Sequence, residues 1–279
     1  MNRSEPRQEA HTPTDDAIAR HRDELKKRFP LPPPRKKPKR HAPGMLGVAV
    51  AALALAGGLV WLDPAYRSEQ YSSSPGRLET IELADGSIVT LDGASRIRVS
   101  WHLRSRRVEL QVGQALFDVT PASYRPFLTL AGSTEITVVG TRYNVSRHQG
   151  DVRVTVEKGK VGVRGNDAAL LLVPGDQVLV RHGRLGMPTR VNAHAVAAWT
   201  EGRLVFDRTP LGEVLDVLLR YGNTHVRLGD AGLAELPVSG SFDSARLDGL
   251  LALLPKVLPV ELATDADGTL SLSRRATKK

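Results

Sequence analysis

The chain has no cysteine in its 279 residues. That absence excludes disulfides, thiolate nucleophiles and thiolate-held metals together, and outside the cytoplasm it requires cores that hold without staples. The 8 histidines (positions 11, 21, 41, 102, 148, 182, 194 and 225) are scattered with no pair at metal-ligand spacing, and no HExxH, nucleophile elbow or phosphate loop occurs. Asp85, Asp92 and Asp176 each adjoin a glycine, so turn geometry accounts for them more simply than general acid-base chemistry. No cofactor, metal or multi-turnover active site is expected. Aromatic residues are only 5% of the chain, which leaves most core filling to aliphatic side chains.

Charge is absent from one long stretch. Residues 45–62 (MLGVAVAALALAGGLVWL) run for eighteen positions without a charge or a proline. As a helix this is about 27 Å long, close to the roughly 30 Å of bilayer hydrocarbon. Arg35, Lys36, Lys37, Lys39 and Arg40 crowd the near side, while Asp63, Arg67 and Glu69 follow, an asymmetry that puts the N-terminus in the cytoplasm. Trp61 and Tyr66 suit an interfacial aromatic belt, and Pro64 a helix stop. A buried core helix should carry polar residues on one face, and a cleaved signal peptide should follow a short leader and precede a small-x-small site; neither pattern is present. The expectation is a single transmembrane helix over 44–63, with a linker at 64–75.

The net charge of +9 is uneven. Residues 1–43 hold 12 Lys or Arg against 6 Asp or Glu, and the rest of the chain holds 27 against 24. The basic balance therefore belongs to a short tail, where it sets topology and attracts anionic lipid; direct nucleic-acid binding is not expected. Within that tail the pattern predicts a helix over 14–29, with Thr14 as cap, Asp15 and Asp16 at the positive end, and Lys26, Lys27 and Arg28 at the negative end before Pro30. Its apolar stripe is thin: Ile18, Leu25 and Phe29, beside Ala17. Three anchors make such a helix marginal alone, so it is expected to order in a partner's groove. Residues 31–40, with Pro32, Pro33, Pro34 and Pro38, read as a stiff extended spacer.

From residue 76 to 186 the hydrophobic period becomes two. Val152, Val154 and Val156 alternate with Arg153, Thr155 and Glu157, and Val108, Leu110 and Val112 with Glu109 and Gln111. About a dozen short strands without an intervening helix predict an all-β barrel, jelly roll or solenoid-like sandwich. Asp85-Gly86 and Asp92-Gly93 are expected hairpin turns, and Phe117, Phe127 and Tyr143 supply core bulk. After a linker at 187–198, residues 199–275 repeat at an interval of 36: Phe206-Asp207 returns as Phe242-Asp243, and Leu211, Val214, Leu215 and Leu218 return as Leu247, Leu250, Leu251 and Leu254. Each copy reads strand, capped helix, strand. Thr209 caps the first helix with Pro210 at its first position; Ser244 caps the second and Pro255 stops it. His225 begins one returning strand, and Gly268 turns into another. Two such units imply a small two-layer α/β sandwich, making the chain mainly β overall.

The runs LADGSIVTLDGASRI (83–97), RRVELQVGQALFDV (106–119), RPFLTLAGSTEITVVGTRYNV (125–145), VTVEKGKVGV (154–163) and LVPGDQVLV (172–180) resemble, in this order, the FecR family of transmembrane sigma regulators. The region from residue 199 is similar to the STN domain of secretins and TonB-dependent receptors. The resemblance implies an anti-sigma factor or sigma regulator in the bacterial inner membrane, single pass, with its C-terminal domains periplasmic. One implied partner is an extracytoplasmic-function sigma factor, met in the cytoplasm by Ile18, Leu25 and Phe29. The other is the signalling domain of a TonB-dependent outer-membrane receptor of the kind that regulates iron transport. Leu236, Pro237, Val238, Ser239, Gly240, Ser241 and Phe242 are the strand edge expected to receive it by strand addition. The alternative is an envelope structural or assembly protein that docks a secretin-type partner.

Gly140-Thr141 stands at the junction of two strands. Geometry alone explains a Gly-Thr bend there. Some members of the family it resembles are cut at such a pair, which implies a single-turnover self-cleavage by the Thr141 hydroxyl on the Gly140 carbonyl.

Overall fold

Two helices precede the strands. The computed structural model describes residues 13–30, 45–222, 226–265 and 269–275. It falls into two units, Met1–Leu53 and Ala54–Lys279. In the first, α1 (Pro13–Arg28) ends on Lys26, Lys27 and Arg28, as the helix dipole favours. It starts one residue earlier than expected because proline suits the first helical turn, so Thr14 lies inside the helix and does not precede it. Ile18 and Phe29 are exposed, and the side chain of Leu25 lies outside the described residues, as does the whole of the 31–40 spacer.

The apolar run forms α2 (Met45–Leu62) over the expected stretch. Among the described residues no helix is long and apolar enough to cross a membrane. The side chains of Met45, Leu46, Leu59 and Val60 within α2 lie outside the described residues.

The next segment differs from the expected linker at 64–75. Residues 67 to 72 form β1 (Arg67–Ser72), which lies antiparallel to β4 (Arg96–Trp101) with Arg67 opposite Trp101 and Ser72 opposite Arg96. RSEQYS has too few apolar residues to announce a strand; it is an edge strand held by its backbone. Between them are β2 (Glu79–Glu82) and β3 (Ile88–Leu91), a hairpin whose turn contains Gly86 at φ 77°.

The strand that organises this domain is β5 (Arg106–Asp118), thirteen residues long. Its first half pairs with β4 and, in parallel, with β6 (Phe127–Ala131); its second half pairs with β3 and with β8 (Arg142–His148). The change of sheet falls at Gly113, φ 91°, where a Cβ would lie 2.7 Å from the Ser95 Cα, so only glycine fits. From β6 one sheet continues through β7 (Thr134–Val138), β10 (Val161–Arg164) and β11 (Ala169–Leu172). From β8 the other continues through β9 (Asp151–Lys158) and β12 (Asp176–Arg181), which also pairs with the short β13 (Arg184–Leu185) and β14 (Thr189–Arg190).

The side chains predicted to alternate inward form one core. Val152, Val154 and Val156 are buried with Val108, Leu110, Ile97, Val145 and Val178. Phe117 stacks on Tyr143 at 5.1 Å and meets Phe127 edge-on at 6.1 Å, and the Tyr143 hydroxyl shares a 2.6 Å hydrogen bond with Thr129.

In the C-terminal region, α3 (Ala193–Ala197) follows its Asn192 cap, then come a 3-10 turn (Ala198–Glu201), β15 (Arg203–Pro210), α4 (Leu211–Gly222), β16 (Val226–Leu228), β17 (Pro237–Asp243), α5 (Leu247–Val257), β18 (Val260–Thr264) and β19 (Leu270–Arg274). β15 and β17 make an antiparallel pair; β16, β19 and β18 make a second sheet. The repeated apolar positions Leu211, Val214, Leu218, Leu250 and Leu254 are all buried together, and Phe206 and Phe242 meet with ring centres 5.9 Å apart.

The ends of the repeats depart from expectation in three places. Thr209 and Pro210 belong to β15, because α4 is entered directly from the strand. Asp243, not Ser244, caps the second unit, accepting from the Ala245 N–H at 2.9 Å ahead of a 3-10 turn. Pro255 lies inside α5. So near a helix end it removes only one intrahelical bond, and Leu258 still donates to the Leu254 carbonyl at 2.9 Å. His225 and Gly268 lie outside the described residues.

Candidate functional site: the interdomain face, an open strand edge and a tight corner

Period-two alternation leaves one face of β5, β8, β9 and β12 to polar residues, and such a face ordinarily meets water. Here Asn144 and Thr155, on that outer face, are buried at 3% and 2% exposure, because the α/β region lies on them. Trp199 donates its indole N–H to the Asn144 side-chain oxygen at 3.1 Å, which also accepts from Gln114 at 3.1 Å. Leu116 of β5 joins the core of the second domain, not the first.

One side of α4 supplies the rest. Glu213, Asp216 and Arg220 recur at helical spacing opposite the buried Leu211, Val214, Leu215 and Leu218. Arg153 of β9 grips Glu213 with two parallel hydrogen bonds, one of them 2.9 Å, and His148 of β8 meets Asp216. Arg220 stands 3.5 Å from Asp92, and the Tyr221 hydroxyl donates to the same carboxylate. Burial pushes the Asp92 carboxyl above its ordinary value, against the pull of Arg220, Tyr221 and the Gly93 N–H. Burial, then the Asp92 charge, push the Tyr221 phenol up as well, which keeps it a proton donor.

Two glycines let the chains approach. A Cβ at Gly76, φ 67°, would lie 2.7 Å from the Tyr221 carbonyl, and one at Gly93 would lie 3.1 Å from the Arg220 carbonyl. The Gly76 N–H accordingly donates to Arg220 at 2.9 Å. Asp85 and Asp92 keep the expected turn contacts, accepting from the Ser87 N–H at 3.1 Å and the Gly93 N–H at 2.8 Å, and each has a further role: Asp92 anchors α4, and Asp85 pairs with the buried Arg106. Asp176 likewise accepts from the Val173 N–H in its turn, at 2.9 Å. A cleft of about 260 Å³ remains between the two domains, and its Arg153 and Arg220 are already engaged by Glu213 and Asp92. Among the described residues no group of acidic and histidine side chains is placed to hold a metal.

The edge expected to receive a partner is β17. Among the described residues it pairs only with β15, so its other side is open. The Ser244 N–H reaches the Gly202 carbonyl at 2.8 Å, and Leu204 faces Phe242. By the alternation of an antiparallel ladder this turns the Ser241 N–H toward the open side. Ser239 is less free: its hydroxyl accepts from the Arg208 N–H at 2.8 Å, holding a bulge where Arg208 has φ 48°. Leu236 closes the other end by accepting from the Leu211 N–H, and Pro237, Val238 and Gly240 lie in register with Pro210, Thr209 and Phe206.

Gly140 and Thr141 form the corner between β7 and β8. A Cβ at Gly140 would lie 2.7 Å from the Pro121 ring, and one at Gly159, φ 89°, would lie 2.9 Å from both the Gly140 oxygen and the Thr141 hydroxyl. Thr141 is buried and donates its hydroxyl to the Lys160 carbonyl at 3.0 Å. The tail residues Ile18 and Phe29 belong to the other unit and are exposed there.

Residues 69–162 match the family model described as FecR protein. Over that stretch, about a third of its length, this chain resembles the FecR family. The match begins inside β1 and ends inside β10, within the β domain. Two crystal structures of a candidate anti-sigma factor from Parabacteroides distasonis ATCC 8503, at 1.65 and 2.50 Å resolution, superpose on the FecR-like chain with TM-scores of 0.69 and 0.68. Each is 25% identical and is covered in full, over 75% of this chain, a share the β domain alone does not reach. No protein with a curated description matches the chain.

Proposed function

We propose that the FecR-like chain is a single-pass inner-membrane regulator that carries a periplasmic contact to a cytoplasmic extracytoplasmic-function sigma factor. The observation that carries this reading is the FecR match beginning seven residues after the charge-free α2. The anti-sigma assignment of the Parabacteroides proteins supports it. In this reading α2 spans the bilayer, α1 meets the sigma factor, and the C-terminal region is an STN-like domain that takes the signalling domain of a TonB-dependent receptor on β17. Burying Ile18, Leu25 and Phe29 in a sigma-factor groove contributes about 1.5 to 3 kcal/mol each before ordering costs. The triple alanine variant should therefore lose co-purification with the sigma factor while still inserting in the membrane. Undiminished co-purification would leave the tail a topology signal only.

At β17 the variant to make is Ser241→Pro, which removes an edge N–H without touching the Arg208 bulge. The receptor's signalling domain should bind it at least tenfold more weakly, by titration calorimetry. Equal affinity would move the contact to another edge.

The tight corner gives a further expected outcome. Attack by the Thr141 Oγ on the Gly140 carbonyl carbon breaks the peptide C–N bond and passes the hydroxyl proton to the leaving nitrogen, giving an ester that water then hydrolyses. Purified protein should run as two bands, Thr141→Ala as one, and Thr141→Ser as a mixture. A single full-length band from the unmodified chain after long incubation reduces the corner to a bend.

A further inference from the structure

The first residue after α2 is not free. Asp63 is only 7% exposed and has φ 43°, a conformation that a non-glycine residue adopts at a cost. Its carboxylate accepts from the Arg104 N–H at 3.0 Å and the Ser105 hydroxyl at 3.0 Å, and its carbonyl meets the His102 ring. Burial would raise this carboxyl, but these two donors, with His102 and Arg107 nearby, hold it below its ordinary value. The β4–β5 loop is thus fixed within one residue, about 3.8 Å of chain, of the end of the apolar helix.

What that loop presents is unusual for a face in water. Leu103 at its tip is 60% exposed, Tyr66 is 62% and Tyr124 is 84%. They form one rim: the Tyr66 N–H donates to the Trp101 carbonyl at 2.9 Å, Arg125 beside Tyr124 donates to the His102 carbonyl at 2.6 Å, and Tyr66 and Tyr124 flank one hollow. Arg106, buried and stacked over Phe127, holds the Tyr124 loop through the Thr120 and Arg125 carbonyls. Arg67 and Arg107 pair with the carboxylates of Glu69 and Asp63, exposed Arg104 gives its backbone N–H to Asp63, and Arg125 gives its guanidinium to the His102 carbonyl, so arginines outnumber carboxylates along the rim.

We infer that this rim rests on the outer leaflet surface of the membrane, with Leu103, Tyr66 and Tyr124 at the depth of the lipid headgroups and the arginines toward their phosphates. The inference depends on α2 crossing the bilayer. Tyrosines with an apolar body and a polar tip favour that depth, arginine excess complements anionic lipid, and the one-residue tether keeps the β4–β5 loop beside the end of the helix.

The absence of cysteine allows a clean test on the full chain in nanodiscs containing phosphatidylglycerol. Single spin labels are placed at Leu55→Cys, Leu103→Cys, Tyr124→Cys and Met187→Cys, the last at an 88% exposed position after β13, and collisions with oxygen and with a water-soluble nickel chelate are compared. Leu55 should show oxygen dominance and Met187 nickel dominance. Leu103 and Tyr124 should fall between them, with at least threefold less nickel contact than Met187, and should move toward Met187 in discs of phosphatidylcholine alone. Lipid protection at Leu55 with nickel contact at Leu103 and Tyr124 equal to that at Met187 overturns the inference and leaves the rim facing water or a protein. Nickel contact at Leu55 itself overturns the spanning helix, and the rim's placement with it.

Discussion

Trp199→Ala is expected to destabilise the C-terminal domain by about 3 to 5 kcal/mol, the usual cost of emptying a site of this size. Trp199 is 4% exposed, packs in the core shared by α4, α5 and Leu116, and gives its N–H to Asn144. Its loss therefore opens a cavity and removes a polar tie between the domains at one stroke. Trp199→Phe separates the two: most of the bulk stays and the hydrogen bond goes, for about 1 to 2 kcal/mol. Urea unfolding of the three proteins measures both steps. A Trp199→Ala midpoint indistinguishable from the unmodified chain would mean that the interdomain core does not carry the stability assigned to it.

The second large effect is a charge reversal. Glu213→Arg sets two guanidiniums together at a pair whose side chains are 25% and 27% exposed, beyond the reach of full solvent screening. The cost to domain docking is about 2 to 4 kcal/mol, below that of a fully buried pair and above that of a surface one. Combining it with Arg153→Glu restores the opposite charges and should recover most of the loss, a coupling that a double-mutant cycle reads directly. Limited proteolysis within residues 187–202 is the second measure: cutting should accelerate in the single variant and return toward normal in the double. Additive single effects would show that Arg153 and Glu213 do not act on each other.

Much of this architecture is legible in the sequence, for identifiable reasons. The valines of β9 alternate because one face must be dry, and the repeat at 36 residues places the apolar positions of α4 and α5 on matching faces. The edge strand β1 is hidden because its order comes from backbone pairing with β4, which side-chain pattern does not record. Asn144 and Thr155 look like solvent-facing residues, since periodicity tells which face is polar but not whether a second domain lies on it. Asp92 was hidden in the same way: Asp-Gly announces the turn, and only the arrival of Arg220 and Tyr221 from 128 and 129 positions away gives the carboxylate its partners. The polar stripe of α4, with Glu213, Asp216 and Arg220 opposite its buried leucines, reads in sequence as an ordinary solvent face and carries no sign of the domain it meets.

The buried Asp63 also has a mechanical meaning. A receptor domain joined to its helix by a long loop could tilt or turn without the helix registering it, because slack absorbs rotation. With β1 zipped to β4 and Asp63 fastened to the β4–β5 loop, the FecR-like domain has no slack at its base. In the proposed reading, a torque on the domain is expected to reach the last turn of α2 as from a crank to its shaft.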